Sequence, residues 1–281
     1  MEADGLGPSL SWGLPMAFDI DQYAETSAGV GWQDLDFDAF DDAPLGEDTL
    51  RTLRYMCNVE YHTVCYLRDL LMTPSHKERD VNAFMTMWNR EEYWHGEALA
   101  AVLGRHGITV DYDELKAARV KLEWRDKLAP LRQSILGNLV GDDFIAVHMS
   151  WGAANEWSAT AAYRRLANLE QHPALSPLLQ RIGQQETRHT AFYATQARKR
   201  LETSKVARTL TRLVLAKAWR PVGSSISEPA DLEHVMKHLF NGEDGLAEIR
   251  RIDANIAKLP GMEGLTIFES AVRRHDMDWP A

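Results

Sequence analysis

Four stretches of the chain repeat apolar residues at steps of three and four positions, which is the spacing of one helix face. The first runs from about Asp48 to Met72, and the second closes at Gly104 to Gly107. The third and fourth lie between about Asp142 and Thr203. Breaks that contain proline separate the members of each pair, at residues 73–75 and 171–173. The pattern therefore predicts two helical hairpins.

Ionisable residues lie on the apolar faces of these predicted helices. The four faces read Leu53, Met56, Cys57, Glu60, Val64, Leu67 and Leu71; Val81, Phe84, Trp88, Glu92, His95, Leu99 and Val102; Ile145, Met149, Gly152, Ala153, Glu156 and Tyr163; and Leu179, Ile182, Glu186, His189 and Tyr193. Burial of several carboxylates without a counter-charge is very unfavourable, and bound metal cations are a common solution. The faces therefore indicate a metal site inside the bundle.

A repeated motif defines the site more closely. Glu92–His95 and Glu186–His189 both read Glu-x-x-His, and a lone acid, Glu60 or Glu156, lies at nearly the same distance before each motif. Residues three apart project to the same side of a helix, about 4.5 Å apart along its axis. One such motif alone would usually be an exposed helix pair. Because the pattern occurs twice, we predict six metal ligands: Glu60, Glu92, His95, Glu156, Glu186 and His189.

This ligand set is the one that ferritin-like di-iron and di-manganese carboxylate proteins use in a four-helix bundle. We therefore predict an all-α fold, a ferritin-like four-helix bundle with a long crossover and additional C-terminal helices. The bundle should span residues 47–204, between an acidic N-terminal arm (1–46) and a C-terminal helical extension (205–281) packed on it. The link from 108 to 141, with an amphipathic helix near Tyr112 to Lys127, would be the crossover.

The two flanking regions leave alternatives open. Residues 34–48 of the arm hold seven acids and no base, but Trp32 and Phe40 could attach the arm to the bundle, so ordered and disordered arms are both compatible with the sequence. After the bundle, residues 205–220 read as a basic helix. Its predicted apolar face holds Val206, Leu210, Leu213 and Val214, and its basic face holds Lys205, Arg208 and Arg212. That basic face fits a solvated surface or a docking site for an acidic partner.

One further pair of histidines has metal-compatible spacing. His234 and His238 lie four residues apart, but no Glu directly follows the first His as the zincin motif requires. The apolar residues Leu232, Val235 and Leu239 surround them in sequence. We therefore expect ordinary packing here rather than ligation.

Composition excludes several classes of function. The 281 residues carry a net charge of −10, which argues against nucleic-acid binding. No apolar run approaches the roughly 20 residues that span a bilayer, and Met1 to Pro15 lacks the basic start of a signal peptide, so we expect a cytoplasmic protein. Cys57 and Cys65 are too far apart on one helix to pair, and the absence of Cys-x-x-Cys argues against an iron–sulfur or rubredoxin-like electron-transfer module in this chain.

The two motifs resemble those of the soluble acyl-carrier-protein desaturases. The residues that carry the resemblance are Trp88, Glu91, Glu92, His95, Gly96 and Leu99 in the first motif, and Glu186, Arg188, His189, Ala191 and Tyr193 in the second. The resemblance covers about residues 48–200. It implies that Glu92 and Glu186 bridge two irons, that Glu60 and Glu156 bind one iron each, and that the two histidines supply nitrogen ligands.

Three positions depart from this family or from a related branch. Trp94 stands where the desaturases usually have Arg, and Gln185 stands where they usually have Asp. Both belong to the outer shell that orients the histidine ligands, so metal tuning or substrate should differ. The N-oxygenase branch has an extra His at the place of Ile182, which disfavours arylamine oxygenation.

The resemblance implies an oxygen-dependent di-iron oxidoreductase that acts on an unactivated C–H bond, as an acyl-ACP desaturase does. The cofactor would be two irons per chain, with O2 as co-substrate and a Mn/Fe pair as an alternative. The partners would be an acyl chain or another apolar substrate, carried by a protein, by coenzyme A or free, an electron donor such as ferredoxin, and a second subunit in a homodimer. The rival functions are a di-iron hydroxylase or oxidase of secondary metabolism, a ferroxidase of iron handling, and an interaction protein with a vestigial site. Intact acids and histidines weigh against the last.

Overall fold

The computed structural model describes residues 18–111, 113–117 and 140–273. Within these ranges the regular structure is entirely helical, as the all-α prediction required. The helices are α1 (Ile20–Thr26), α2 (Ala39–Asp42), α3 (Glu47–Leu70), α4 (Arg79–Arg105), α5 (Asp143–Glu170), α6 (Leu175–Thr203), α7 (Lys205–Ala218), α8 (Pro229–Phe240), α9 (Gly242–Ala257) and α10 (Ile267–Val272). Most of the helix predicted from Tyr112 to Lys127 lies outside the described residues, although residues 113–117 are helical.

The two predicted hairpins are present. A 3-10 turn, Pro74–Lys77, joins α3 to α4, and the hydroxyl of Thr73 caps this turn by accepting from the backbone N–H of Ser75 at 3.3 Å. Helix α5 ends at Gln171, whose left-handed backbone (φ 46°) reverses the chain ahead of α6. The helices α3 and α4 pack along each other, as do α5 and α6, and α4 also contacts α6. Four long helices thus surround one interior.

The predicted faces of α4, α5 and α6 are the buried faces of these helices. In α3 the predicted residues up to Glu60 are buried, and Leu67 is partly buried against the core. Val64 and Leu71 are instead 44% and 48% exposed. Leu70 is buried there instead. The prediction that Val64 and Leu71 belong to the core face was therefore wrong.

The described part of the N-terminal arm, residues 18–46, is ordered against the long helices. Tyr23 and Phe40 are each 2% exposed, and the ring of Phe40 stacks on that of His172 at 4.4 Å. The acids of the arm meet bases from α4 and α6: Asp21 pairs with Arg79, Asp38 and Asp41 with Arg105, and Asp34 with Arg181. Apolar anchors and opposite charges together favour the ordered alternative.

The basic helix α7 packs on α5 by a face that differs from the predicted one. Its buried residues are Ala207, Thr211 and Leu215, whereas Val206 and Leu213 are 62% and 56% exposed. Small side chains at the first two positions let the two helix backbones approach closely. The predicted apolar face was therefore wrong for Val206 and Leu213.

The predicted basic face of α7 is used largely within the chain. Arg208 donates to the carbonyl of Leu201 at 2.7 Å. Arg212 donates to the carbonyls of Gly261 and Glu263 at 3.0 Å each. These two guanidinium groups thereby fasten α7 to the end of α6 and to the loop before α10. Docking of an acidic partner on this face stays a prediction.

The histidines of α8 hold this helix against α3. The Nε2 atom of His234 lies 3.0 Å from the carbonyl oxygen of Asp48, and Nδ1 of His238 lies 2.7 Å from the hydroxyl of Thr52. These contacts agree with the expectation of a packing role. Cys57 and Cys65 are free thiols, as predicted. No helix in the described part of the chain is long and apolar enough to cross a membrane.

Candidate metal centre

The six predicted ligands come together in the interior of the four long helices. None of them is more than 5% exposed. They form two groups of four, and within each group the candidate ligand atoms lie within 4.8 Å of one another. The groups are Glu60, Glu92, His95 and Glu186, and Glu92, Glu156, Glu186 and His189. Each group has the size and the donor types of a metal position.

Glu92 and Glu186 belong to both groups. One oxygen of Glu186 lies 3.2 Å from Nδ1 of His95, and its other oxygen lies 3.1 Å from Nδ1 of His189. Oε1 of Glu92 lies 3.8 Å from Nδ1 of His95 and 3.2 Å from Nδ1 of His189. Two adjoining cations could therefore share these two carboxylates, while Glu60 and Glu156 would each serve one cation.

The two histidines present the same ring nitrogen to the carboxylates. Nδ1 faces inward in both, and Nε2 faces an outer partner. Oε1 of Gln185 lies 2.8 Å from Nε2 of His95, and Oε2 of Glu91 lies 2.7 Å from Nε2 of His189. Such outer contacts fix the tautomer and the orientation of a metal-binding imidazole. Both Nδ1 atoms are thus placed to act as ligands.

Three buried polar atoms of the site lack a hydrogen-bond partner, and a bound cation would supply one. Oε2 of Glu60, Oε1 of Glu92 and Nδ1 of His95 are buried without a hydrogen-bond partner. Buried polar atoms are otherwise almost always paired. Carboxylate oxygen and imidazole nitrogen are the donor types that iron and manganese take in carboxylate-bridged sites. The residues present therefore fit two such ions.

The protonation of the cluster also depends on a counter-charge. Burial, reinforced by the negative charges of Glu60 and Glu186, raises the pKa of Glu92 well above its usual value. Burial and the same kind of repulsion raise the pKa of Glu156. A raised pKa favours the protonated form of these two carboxyls, so binding a cation should displace protons.

The pKa of Glu186 moves the other way. Burial acts to raise it, but the facing imidazoles of His189 and His95 outweigh burial and hold the pKa of Glu186 below its usual value. The pKa values of both histidines are raised despite their burial, because they face carboxylates. The two histidines thus favour the ionised form of Glu186 at the centre of the cluster.

Aromatic donors orient the two lone acids. The hydroxyl of Tyr163 donates to Oε1 of Glu60, and Nε1 of Trp88 donates to Oε1 of Glu156 at 3.1 Å. Both aromatic residues lie on predicted core faces, but their bonds to the acids were not predicted. The apolar and polar pattern of one helix does not show which side chains of another helix it contacts, so these hydrogen bonds could not be predicted from the sequence.

The two departures from the desaturase pattern have different roles. Gln185 contacts His95, as the prediction of an outer-shell role required. Trp94 instead packs under the arm: a Cβ added to Gly29 would lie 2.7 Å from its ring, and the ring of Trp32 is 6.0 Å away. The prediction that Trp94 orients a histidine was therefore wrong.

A cavity of about 70 Å³ lies next to Glu60, between α3, α5 and the C-terminal helices. Apart from Glu60 and two tyrosines its wall is largely apolar, and it includes Met56, Val59, Ala162, Val235, Leu239 and Phe268. At its rim the hydroxyl of Tyr55 donates to the carbonyl of Val222 at 2.5 Å. The C-terminal extension therefore supplies half of the wall of a small apolar chamber beside one metal position.

Comparison with protein-family models, with curated proteins and with solved structures finds no match for this chain.

Proposed function

We propose that this chain is a ferritin-like di-iron oxidase, which uses O2 to oxidise an unactivated C–H bond in an apolar substrate. Acyl-ACP desaturase-like chemistry is the form that the motif resemblance favours. The observation that carries the proposal is the adjacency of two carboxylate-sharing metal positions and an apolar cavity at Glu60. A metal site without an adjacent cavity would fit a role in iron transport equally well.

The proposed ligand roles follow from the two groups. Glu92 and Glu186 would bridge the ions, Glu60 and His95 would complete one position, and Glu156 and His189 would complete the other. Two ferrous ions held by these residues would supply the electrons for the first two-electron reduction of O2. The protein itself would have to position the substrate and exclude water.

The protein holds the substrate and the acids in a dry setting. Tyr163 binds one oxygen of Glu60 and so leaves Oε2 of that residue available to a metal ion. Apolar walls at Met56 and Ala162 would hold an alkyl segment near this edge of the cluster and exclude bulk water. A dry site limits unproductive reactions of activated oxygen.

The size of the cavity restricts the substrate. Pockets for drug-sized ligands hold about 300–1,000 Å³, so a cavity of about 70 Å³ suits a short alkyl group or the reacting segment of a longer chain. A compact metabolite therefore competes with a long acyl chain as the substrate. This restriction favours the secondary-metabolism hydroxylase as the second candidate.

The reaction needs two external electrons. Desaturation would convert R–CH2–CH2–R′, O2, two electrons and two protons into the alkene and two waters. Hydroxylation would convert R–H with the same co-reactants into R–OH and one water. The sequence has no Cys-x-x-Cys to hold an iron–sulfur centre, so a separate reductant such as ferredoxin would supply the electrons.

A substrate-dependent oxygen reaction tests this proposal. The iron-loaded, reduced protein is mixed with O2 in the presence of carrier-linked, coenzyme-A-linked and free alkyl substrates, and oxygen uptake and products are measured. We expect one class of substrate to accelerate oxygen uptake and to yield an alkene or alcohol at constant iron content. Accumulation of many ferric ions per chain, with no substrate response, would instead establish a ferroxidase.

A further inference from the structure

We propose that residues 18–34 of the arm cap the metal centre and make its two positions unequal. In this proposal the position of Glu156 and His189 binds a divalent metal more tightly than the position of Glu60 and His95. The inference rests on the proposed metal centre. It concerns metal affinity rather than the reaction catalysed.

The histidine of the tighter position has a charged outer partner. Glu91, which is 0% exposed, contacts Nε2 of His189 at 2.7 Å. The hydroxyl of Tyr23 in the arm donates to the same oxygen of Glu91 at 2.9 Å. The guanidinium group of Arg188 lies over the Tyr23 ring at 4.7 Å and within 4.0 Å of Glu91. The arm therefore closes over a carboxylate and its counter-ion.

The histidine of the weaker position has a neutral outer partner. The amide Nε2 of Gln185 donates to the carbonyl of Ala28 at 3.0 Å, which turns Oε1 of Gln185 towards His95. A carboxylate at position 185 would place an oxygen against the oxygen of Ala28. The carbonyl of Ala28 thus favours an amide at position 185, where the desaturases usually have an acid.

Close approach of the arm depends on glycine. A Cβ on Gly29 would lie 2.7 Å from the ring of Trp94, which is closer than side chains pack. Gly29 follows Ala28 directly, so a larger residue there would lift the carbonyl that holds Gln185. Gly31, two residues later, has open space around its own Cβ position. Substitution of Gly29 can therefore be compared with the same substitution of Gly31.

The residues next to the ligands in the two Glu-x-x-His motifs differ in charge. Glu91 and Gln185 each precede a bridging Glu, and Arg188 and Trp94 each precede a histidine. The charged Glu91 and Arg188 therefore lie on the side of His189, whereas the corresponding residues of the sequence on the side of His95, Gln185 and Trp94, are neutral. A carboxylate partner makes an imidazole a more basic ligand than an amide partner does. Both lone acids accept a hydrogen bond from an aromatic donor, Glu60 from Tyr163 and Glu156 from Trp88, so the inequality rests on the partners of the histidines.

Equilibrium binding of Mn²⁺, with free and bound ion separated by electron paramagnetic resonance, tests the proposal. We expect two Mn²⁺ per chain with dissociation constants at least about tenfold apart, as outer-shell partners typically contribute 10–100-fold in affinity. Glu156→Ala should remove the tighter binding class and Glu60→Ala the weaker one. Two equal constants in the unaltered protein, or removal in the opposite order, would overturn the assignment.

An isosteric comparison separates the effect of the outer shell from general damage. Glu91→Gln should weaken the tighter binding by about 10–100-fold and reduce or abolish its advantage over the other position. Gln184→Glu, the reverse exchange at an exposed neighbour of Gln185, should leave both dissociation constants unchanged. An unchanged ratio in Glu91→Gln would refute the role of that carboxylate.

The role of the cap has its own comparison. Gly29→Ala should weaken the His95 position several-fold and widen the ratio, while Gly31→Ala should have no effect. Equal binding by these two variants would refute the cap. Failure of the unaltered protein to bind Mn²⁺ or Fe²⁺ would overturn the metal centre itself, whereas two equivalent bound ions would overturn only the inequality.

Discussion

Nδ1 of His95 lies 3.2 Å from Oε1 of Glu186, although the two residues belong to different Glu-x-x-His motifs. Each motif would therefore complete the proposed metal position of the other, instead of forming a separate mononuclear site. The shared carboxylates also explain why loss of one bridging acid should affect two ions. The predictions below follow from this arrangement and from the packing around it.

Filling the cavity should impair oxidation without loss of metal. Ala162→Leu would extend three further carbon atoms towards a cavity of about 70 Å³. Displacing a substrate by about 1 Å can cost on the order of 100-fold in rate, so we expect substrate oxidation to fall at least about tenfold. The measurements are the rate of substrate-dependent oxygen uptake and the iron content of the same sample.

Ala216→Leu is the control, because it makes the same change of side chain at an exposed position of α7 that does not line the cavity. It should leave both quantities unchanged. If Ala162→Leu retained the full rate with every active substrate, the cavity would not be the substrate site.

The close packing of α5 on α6 depends on a glycine. A Cβ on Gly152 would lie 2.2 Å from the ring of Tyr193, which is fully buried and donates a hydrogen bond to Met85. Gly152→Ala should lower the free energy of unfolding by about 1–3 kcal/mol through overpacking, even though alanine favours helix. Urea denaturation of the metal-free protein measures this change.

Gly104 provides the opposite case. It lies in α4 with nothing near its Cβ position, so Gly104→Ala should stabilise by up to about 1 kcal/mol through helix propensity. Similar stability changes in both variants would show that the Tyr193 contact does not govern the packing.

A buried histidine should make the stability depend on pH. His148 is 2% exposed, Nδ1 contacts the hydroxyl of Ser75 at 2.8 Å, and burial, aided by the charge of Arg200, lowers the pKa of His148 to about 3. The unfolded chain takes up a proton near pH 6.5, but the folded protein does not. Stability from this group is complete above about pH 6.5 and falls as the pH is lowered towards 3.

Between pH 7 and pH 5 the loss should reach about 2 kcal/mol, at roughly 1.4 kcal/mol per pKa unit. His148→Asn can keep the contact with Ser75 and cannot titrate. Its free energy of unfolding, measured by denaturation at each pH, should fall less steeply than that of the unaltered protein. Parallel curves would contradict this role for His148.

The clustering of the six candidate ligands could be predicted because each helix carried its own signal. Glu92 with His95, and Glu186 with His189, follow the helical repeat and interrupt apolar faces, so their convergence needed only the hairpin turns. Val206 and Leu213 show the limit of the same reasoning. Their face of α7 looked apolar, but the small Ala207 and Thr211 allow closer helix contact, and packing overrode hydrophobicity.

The surroundings of the ligands depend on distant segments. Tyr23 is far from Glu91 in sequence, and only the folded arm brings its hydroxyl to the carboxylate. The cavity wall likewise combines Met56 of α3 with Leu239 of α8. No periodicity within one helix encodes such contacts. The sequence marked Gln185 as unusual, but the carbonyl of Ala28 supplies the physical reason for an amide there.

The most direct test of the central claim is the iron content of the purified protein after anaerobic loading with Fe²⁺ and removal of excess metal. We expect about two irons per chain. Glu60→Ala and Glu156→Ala should each lose about one iron, and Glu186→Ala, which removes a bridging acid, should lose most of both. Circular dichroism would establish that the variants remain helical. Unchanged iron content in all three variants would contradict the proposed di-iron centre.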